Sequence, residues 1–374
     1  MKEPSIWIVG ARGIGNYGGF ETFIKEFGPR LADRGYRVTV GSEDVVDRIE
    51  TYQGVHVEYF PFKLPKNYSV RKLFEVFYDY YFILLATYRG ADVIYILGCT
   101  ANLFTGFPRL FGVKTMTNIA GLEWLRSKFS PLEKIMLKIL TKLSMIGSEI
   151  VVLDNSQLRL FVDGDKFKKK IVTIAYGVSE FPYPEWNRTI LKKYQLQGVE
   201  KDGYWLVVAR LQPDNNIHEV IEEYLLSVSE KPLIIVGGPA CNDSYIRKLK
   251  KLTDGTNVRL IGGVYDLNEL NMLRQNTYGY IHPHSIGGTN PSLLEAMVCG
   301  NIILADSNPF NREVCQDTAL FYSNEDPLSS VIKRVENERE KFIELKERAK
   351  TRVLDVYSWN KIVDNYETIL TSGK

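Results

Sequence analysis

The chain has 374 residues, 45% apolar and 25% charged, with a formal net charge of +2. That length exceeds what one hydrophobic core usually organises, so two domains of roughly 170 to 190 residues are expected, and disordered or collagen-like classes are excluded. Near-balanced charge gives no footprint for nucleic acid, and four scattered cysteines (Cys99, Cys241, Cys299, Cys315) with no CxxC pair indicate neither a zinc cluster nor a disulfide framework; a reducing cytoplasm fits.

At the N-terminus SIWIVG (5–10) reads as a strand where a secretory leader needs an apolar run before small residues, so secretion is not expected. A helix from about Phe20 follows, and then β-rich runs alternate with helical patterns: RVTVGS (37–42), VHVEYF (55–60), DVIYILG (92–98) and EIVVLDN (149–155). The most apolar stretch, YDYYFILLATY (78–88), is about half of the roughly 20 residues a spanning helix needs. After a strand and a Pro- and aromatic-rich connector near Gly177 the same grammar returns in YWLVVAR (204–210), PLIIVGG (232–238), VRLIGGV (258–264), YGYIHPH (278–284) and NIILADS (301–307). Strands apolar throughout and alternating with helices predict parallel sheets covered on both faces, hence two doubly wound α/β domains with ligand loops at the carboxyl ends of their strands. The expected division is 1–176, 177–354 and a closing helix in 355–374 that packs back on the first domain, with Ser358 a candidate N-cap and Ile362, Val363, Tyr366 and Ile369 on its buried face.

Two glycine-rich stretches carry chemistry. The first, VGARGIGNYGGFETF, places Gly10, Gly13, Gly15, Gly18 and Gly19 between the first strand and the first helix, where amides can approach an anion or a sugar. Its spacing, G-x-x-G-x-G-x-x-G-G, is not a clean G-x-G-x-x-G and no acidic residue clearly closes the second strand as a ribose ligand, so a dinucleotide, another phosphate or sugar ligand, and a structural turn all remain open. The second, HPHSIGGTNPSLLEAMVCG (282–300), puts Gly287 and Gly288 after a strand, Thr289 or Asn290 at an N-cap, Pro291 at the first helical position and Glu295 one turn further on. Free amides and the positive end of a helix dipole there suit a diphosphate, and Glu295 suits ribose hydroxyls. Arg210 follows a strand and can pair with the same diphosphate.

Taken with VIYILGC, AGLEWLRSKFS, VVARLQPDNNI, GGVYDLNEL and FNREV, these segments resemble the GT-B retaining glycosyltransferases of family four, and within them the bacterial rhamnosyltransferase subgroup of capsule and cell-wall polysaccharide synthesis. The resemblance covers nearly the whole chain. It implies an acceptor-binding first domain, a donor-binding second domain, and no metal or cofactor, the nucleotide sugar being a substrate. It makes Arg210 the diphosphate contact, Glu295 the ribose ligand, the amides of Gly288, Thr289 and Asn290 the phosphate cradle, and Val264, Tyr265 and Asp266 neighbours of the nucleobase. Gly18 and Gly19 would face the donor across a cleft. Three positions depart from the wider pattern. Gly287 stands where the family has Glu and Asn215 where it has Lys, both as in the subgroup. Ala120 stands where the subgroup has Asp, so the expected catalytic carboxylate is absent: an engineered inactivation, a variant using Glu123 or Asp154, and a degenerate chain are the alternatives.

Residues 122–145 interleave Arg126, Lys128, Lys134, Lys138 and Lys142 with Leu, Ile, Phe and Trp, and from Pro131 onward read as a basic amphipathic helix suited to an anionic membrane face. Lys63, Lys66, Arg71 and Lys72 add to this upstream. The function expected is transfer of L-rhamnose from dTDP-rhamnose to a lipid-linked saccharide by a cytoplasmic enzyme peripheral to the cytoplasmic membrane. A UDP-sugar transferase and a nucleotide-sugar 2-epimerase are the near alternatives, and an NAD-dependent oxidoreductase or a non-catalytic scaffold the remote ones.

Overall fold

A computed structural model describes residues 3–371 except 15–17, 44, 46, 66–67, 99–103, 120, 127–128, 163–164, 183 and 239–242; the side chains of 68–70 and 72–73 are also left undescribed. Gly15, Lys66, Cys99, Ala120, Lys128 and Cys241 therefore lie outside the described residues. The chain divides into two compact units, Met1–Gly177 with Trp359–Lys374, and Val178–Ser358. Each is described by itself.

The first unit is built on eight strands: β1 (Ser5–Val9), β2 (Arg37–Ser42), β3 (Thr51–Tyr52), β4 (Val55–Tyr59), β5 (Val93–Leu97), β6 (Lys114–Ile119), β7 (Ile150–Leu153) and β8 (Ile171–Thr173). Their order is β3-β4-β2-β1-β5-β6-β7-β8, parallel except for the β3–β4 pair. β1 and β5 are buried along their whole length, as strands covered on both faces must be. β6 escaped the apolar signature because four of the six residues in KTMTNI are polar, yet Thr115, Thr117 and Asn118 are all buried. Their polar groups are met in part: Thr117 Oγ1 lies 2.5 Å from Ser148 Oγ and Asn118 Nδ2 donates to Tyr95 OH at 2.9 Å, while Thr115 Oγ1 and Asn118 Oδ1 find no hydrogen-bond partner among the described residues.

The second unit carries β9 (Trp205–Val208), β10 (Leu233–Val236), β11 (Val258–Gly262), β12 (Gly279–His282), β13 (Ile303–Asp306) and β14 (Leu320–Tyr322) in the all-parallel order β11-β10-β9-β12-β13-β14. Winding therefore reverses between β9 and β12, the crevice where such sheets bind ligands. Trp205, Val207, Ile217, Tyr224, Ile235 and Ile281 are among the fully buried side chains of its core. Only three residues long and half-buried, β14 lacked a sequence signature.

The helix Ile343–Tyr357 runs past the expected domain boundary, and the chain breaks at Ser358, whose backbone is extended, before the last helix, Trp359–Thr371. That helix belongs to the first unit. Ile362, Val363 and Tyr366 are buried, the Tyr366 ring packs at a tilt of 54° against Phe27 with centroids 4.6 Å apart, and its hydroxyl lies 2.6 Å from Tyr95 OH. Full burial of each such side chain contributes roughly 1.5–3 kcal/mol, which anchors a 13-residue helix too short to persist alone. No helix among the described residues is long and apolar enough to cross a membrane.

Candidate functional site

In the second unit the loops at the carboxyl ends of β9 to β13 meet. Arg210 lies two residues beyond β9; its side chain is exposed and has no ion-pair partner among the described residues. The turn Pro213–Asn215 follows. Asn215 is buried there and its amide donates to Arg210 O at 2.8 Å, so it braces the arginine's backbone. Asn216, in the left-handed region at φ 53°, donates to Pro283 O at 3.1 Å and to Ser285 Oγ at 2.9 Å. The loop after β9 is thereby tied to the loop after β12. Asn308 and Asn311, the latter in FNREV, donate to His284 O at 2.9 and 3.0 Å and tie in the loop after β13.

The helix Pro291–Val298 starts in this junction. Asn290 is the N-cap, its Oδ1 accepting from Ser292 N at 3.0 Å, and Pro291 occupies the first turn; Thr289, the other cap candidate, is buried. The amides of Gly288 and Asn290 donate to no backbone carbonyl among the described residues. Gly287 adopts φ +149°, with open space where a Cβ would stand. An anion at this helix start meets unpaired amides, the positive end of a dipole and, after the neighbouring strand, a guanidinium.

Glu295 lies in that helix and accepts from Arg274 Nη2, while Arg274 Nη1 donates to Asn271 Oδ1 at 3.2 Å. Arg274 is 2% exposed, whereas Glu295 remains partly open, with Oε1 unpartnered among the described residues. The expected nucleobase loop divides its labour. Val264 is buried, and Asp266 caps the helix Leu267–Gln275, accepting from Asn268 N at 2.8 Å and Glu269 N at 3.1 Å. Tyr265 is exposed, as is Asp266, and its hydroxyl lies 2.8 Å from where a Cβ on Gly238 would be; Gly238 O in turn accepts from Leu211 N at 3.1 Å, beside Arg210. His282, at the end of β12, is fully buried, both its ring nitrogens lack a hydrogen-bond partner among the described residues, and it stacks on His284 at 4.6 Å. Burial, then His284, holds its pKa well below the usual imidazole value.

In the first unit Gly18 precedes the helix Gly19–Ala32. The loop before it is clamped: Glu21 Oε1 accepts from Arg12 N at 2.9 Å, and Tyr78 OH donates to Ala11 O at 2.8 Å. Arg12 sits 3.6–3.7 Å from Glu43, Glu75 and Asp79. Arg71, expected to be part of a basic patch, instead pairs with Glu43 at 2.9 Å and Glu75 at 3.2 Å. Glu123 lies in the short 3-10 turn Glu123–Leu125 and pairs with Arg126 at 2.8 Å. Asp154 follows β7 and is buried.

Sequence reasoning passed over Arg274, Asn216, Ser285 and Asn308. Arg274 left a faint signal, a cation on the apolar helix LNELNMLRQ; the others are loop residues whose partners come from other loops.

Residues 191–352 match the family described as Glycosyl transferases group 1, and residues 3–179 match a domain of unknown function, DUF1972. The fold is that of the GT-B architecture, and the match over residues 191–352 indicates a glycosyltransferase domain in the second unit. The O-antigen chain mannosyltransferase RfbU of Salmonella typhimurium is 25% identical over 183 residues, 45% of this chain and about half (51%) of that protein. An uncharacterized glycosyltransferase of Methanocaldococcus jannaschii is 24% identical over 99% of this chain and 98% of its own. Among solved structures, sucrose-phosphate synthase from Thermosynechococcus elongatus superposes with TM-score 0.80 at 15% identity over 98% of both chains. Anabaena HepE in complex with UDP superposes with TM-score 0.73 at 15% identity, covering 99% of this chain and 100% of that one.

Proposed function

We propose that the chain transfers L-rhamnose from dTDP-rhamnose, with retention, to a hydroxyl of a lipid-linked saccharide during surface polysaccharide synthesis, working at the cytoplasmic membrane face. The observation that carries the donor half is the Pro291–Val298 helix start, with its unpaired Gly288 and Asn290 amides, joined through Asn216 to the turn after Arg210 at the switch point of the sheet. In this reading Arg210 and the amides from Gly288 to Asn290 stabilise the charge that develops on the leaving diphosphate. Glu295 Oε1 takes a ribose hydroxyl and Tyr265 covers the base. The leaving diphosphate helps deprotonate the acceptor, so neither a protein nucleophile nor a metal is required, and transfer proceeds in EDTA.

Rhamnose is favoured by Gly287 and Asn215, which stand where the wider family offers a carboxylate and an ammonium. The printed activity of RfbU, a mannosyltransferase of O-antigen chains, supports a saccharide acceptor. A UDP-sugar donor is the second reading, favoured by the UDP complexes of HepE. A thermal-shift panel of nucleoside diphosphates and nucleotide sugars separates them: preferential stabilisation by thymidine ligands is the expected result, and preference for uridine overturns the rhamnosyl assignment.

A further inference from the structure

Helix Pro131–Gly147 of the first unit is packed inside out. Its buried residues are Thr141, Ser144 and Met145, and two of these three are polar. Ser144 Oγ donates to Thr117 Oγ1 on β6 at 3.4 Å, and Thr141 Oγ1 donates back to Leu137 O at 2.8 Å. Outward stand Leu132 (76% exposed), Ile135 (59%), Met136 (52%), Ile139 (54%) and Ile146 (49%). A helix on a water-facing surface arranges these classes the other way round. The 3-10 turn Phe107–Phe111 lies against the helix's last turn, held by Arg109, which donates to Gly147 O at 3.5 Å and pairs with Glu149 at 3.2 Å. It adds Leu110 and Phe111, both exposed.

Charge selects the occupant. Lys134, Lys138 and Lys142 recur at one-turn intervals along the helix, and its one carboxylate, Glu133, is used in the capping box with Ser130. Lys170 bonds Ile146 O at 3.0 Å and Ser148 O at 2.8 Å, which brings the exposed Lys168 and Lys169 near the same end. A second copy docking through the same face would set lysines against lysines, since a two-fold contact uses one patch twice. An anionic bilayer satisfies both components, apolar side chains entering the acyl boundary and lysines the headgroups.

We infer that the outward face of Pro131–Gly147, with Leu110 and Phe111, docks on an anionic lipid bilayer. The helix packs against the turn Glu123–Leu125, so a docked leaflet lies beside the segment after β6. That is where a lipid-linked acceptor has to arrive, and to this extent the inference rests on the proposed transfer reaction.

Flotation of the full chain with phosphatidylcholine vesicles, with and without phosphatidylglycerol, tests this. Binding to the anionic vesicles is expected, weakened at least about tenfold by I135S/I139S and roughly 100-fold by K134E/K138E/K142E. An I139W reporter should shift its emission to the blue on those vesicles. No flotation with anionic vesicles, or equal binding by the variants, overturns the inference. So does light scattering that shows a dimer which I135S/I139S dissolves, since the occupant is then a second copy. Stabilisation by nucleoside diphosphate is measured on every variant. In the parent chain, its presence without vesicle binding sinks the docking surface alone, whereas its absence sinks the transfer reading.

Discussion

The Arg274 guanidinium is bonded to the Glu295 carboxylate from below: the arginine is sealed from solvent, and the glutamate keeps one oxygen toward it. This pair couples the helix Leu267–Gln275, which follows the Tyr265 loop, to the helix that begins at Pro291. Removing the carboxylate leaves a buried cation uncompensated, a change that costs about 3–5 kcal/mol. Glu295→Ala is therefore expected to lower the melting temperature by roughly 6–20 °C, at about 2–4 °C per kcal/mol for a unit of this size. Arg274→Met combined with Glu295→Met recovers most of that loss without restoring nucleotide binding. A melting curve for Glu295→Ala that overlays the parent's would show that the pair contributes nothing.

Arg210 gives the opposite profile. Its side chain is exposed and reaches no carboxylate among the described residues, so nothing in the fold depends on it. Arg210→Ala should melt within about 0.5 kcal/mol of the parent. If the residue stabilises a leaving diphosphate, kcat falls by about 10²–10³, or 2.7–4 kcal/mol, the loss typical of a preorganised oxyanion donor. A kcat within tenfold of the parent removes it from the mechanism.

The contrast shows what the chain discloses before folding. β1, β5, β9 and β10 are apolar along their length and were readable as buried parallel strands, and Asn290–Pro291 was readable as a helix start. β6 was not, because its buried side chains are mostly polar, and the partners Thr117 and the Asn118 amide do find, Ser148 and Tyr95, are supplied only by the tertiary structure. Asp266, expected to neighbour the nucleobase, also caps the helix Leu267–Gln275, a role for which its spacing to Glu269 was a local signal. The Arg274–Glu295 pair joins two helices through the fold, and no periodicity encodes it. For Pro131–Gly147 the sequence disclosed an amphipathic helix, but period alone does not say which face turns inward.

His282 makes stability depend on pH. Burial disfavours its charged form, so its folded pKa lies well below the value near 6.5 that the unfolded chain shows. Between those two values the unfolded state binds a proton that the folded state does not, so stability rises with pH up to about 6.5 and is flat above it. The expected slope below that point is about 1.4 kcal/mol per pH unit from this residue alone. Melting temperatures from pH 5 to 8 for the parent and His282→Gln read it directly. Identical pH dependence in both chains would mean that the imidazole is charged or hydrated in the folded state.

Gly287 tests whether the departure from the wider family concerns chemistry alone or backbone as well. At φ +149° it holds a conformation that side-chain-bearing residues rarely adopt, although the space around a Cβ there is empty. Gly287→Glu supplies the missing carboxylate without any steric clash, and the strain remains. The cost is about 1–3 kcal/mol in a loop whose amides have to point at an anion. The expected result is weaker nucleoside diphosphate binding, by about 5- to 150-fold in calorimetric titration, with no gain of affinity for the donors of other family members. Gly287→Ala should show most of the same loss, because the methyl group meets the same backbone restriction without adding charge. If Gly287→Ala binds as tightly as the parent while Gly287→Glu changes donor preference, the position selects the sugar through its side chain and the backbone account is wrong.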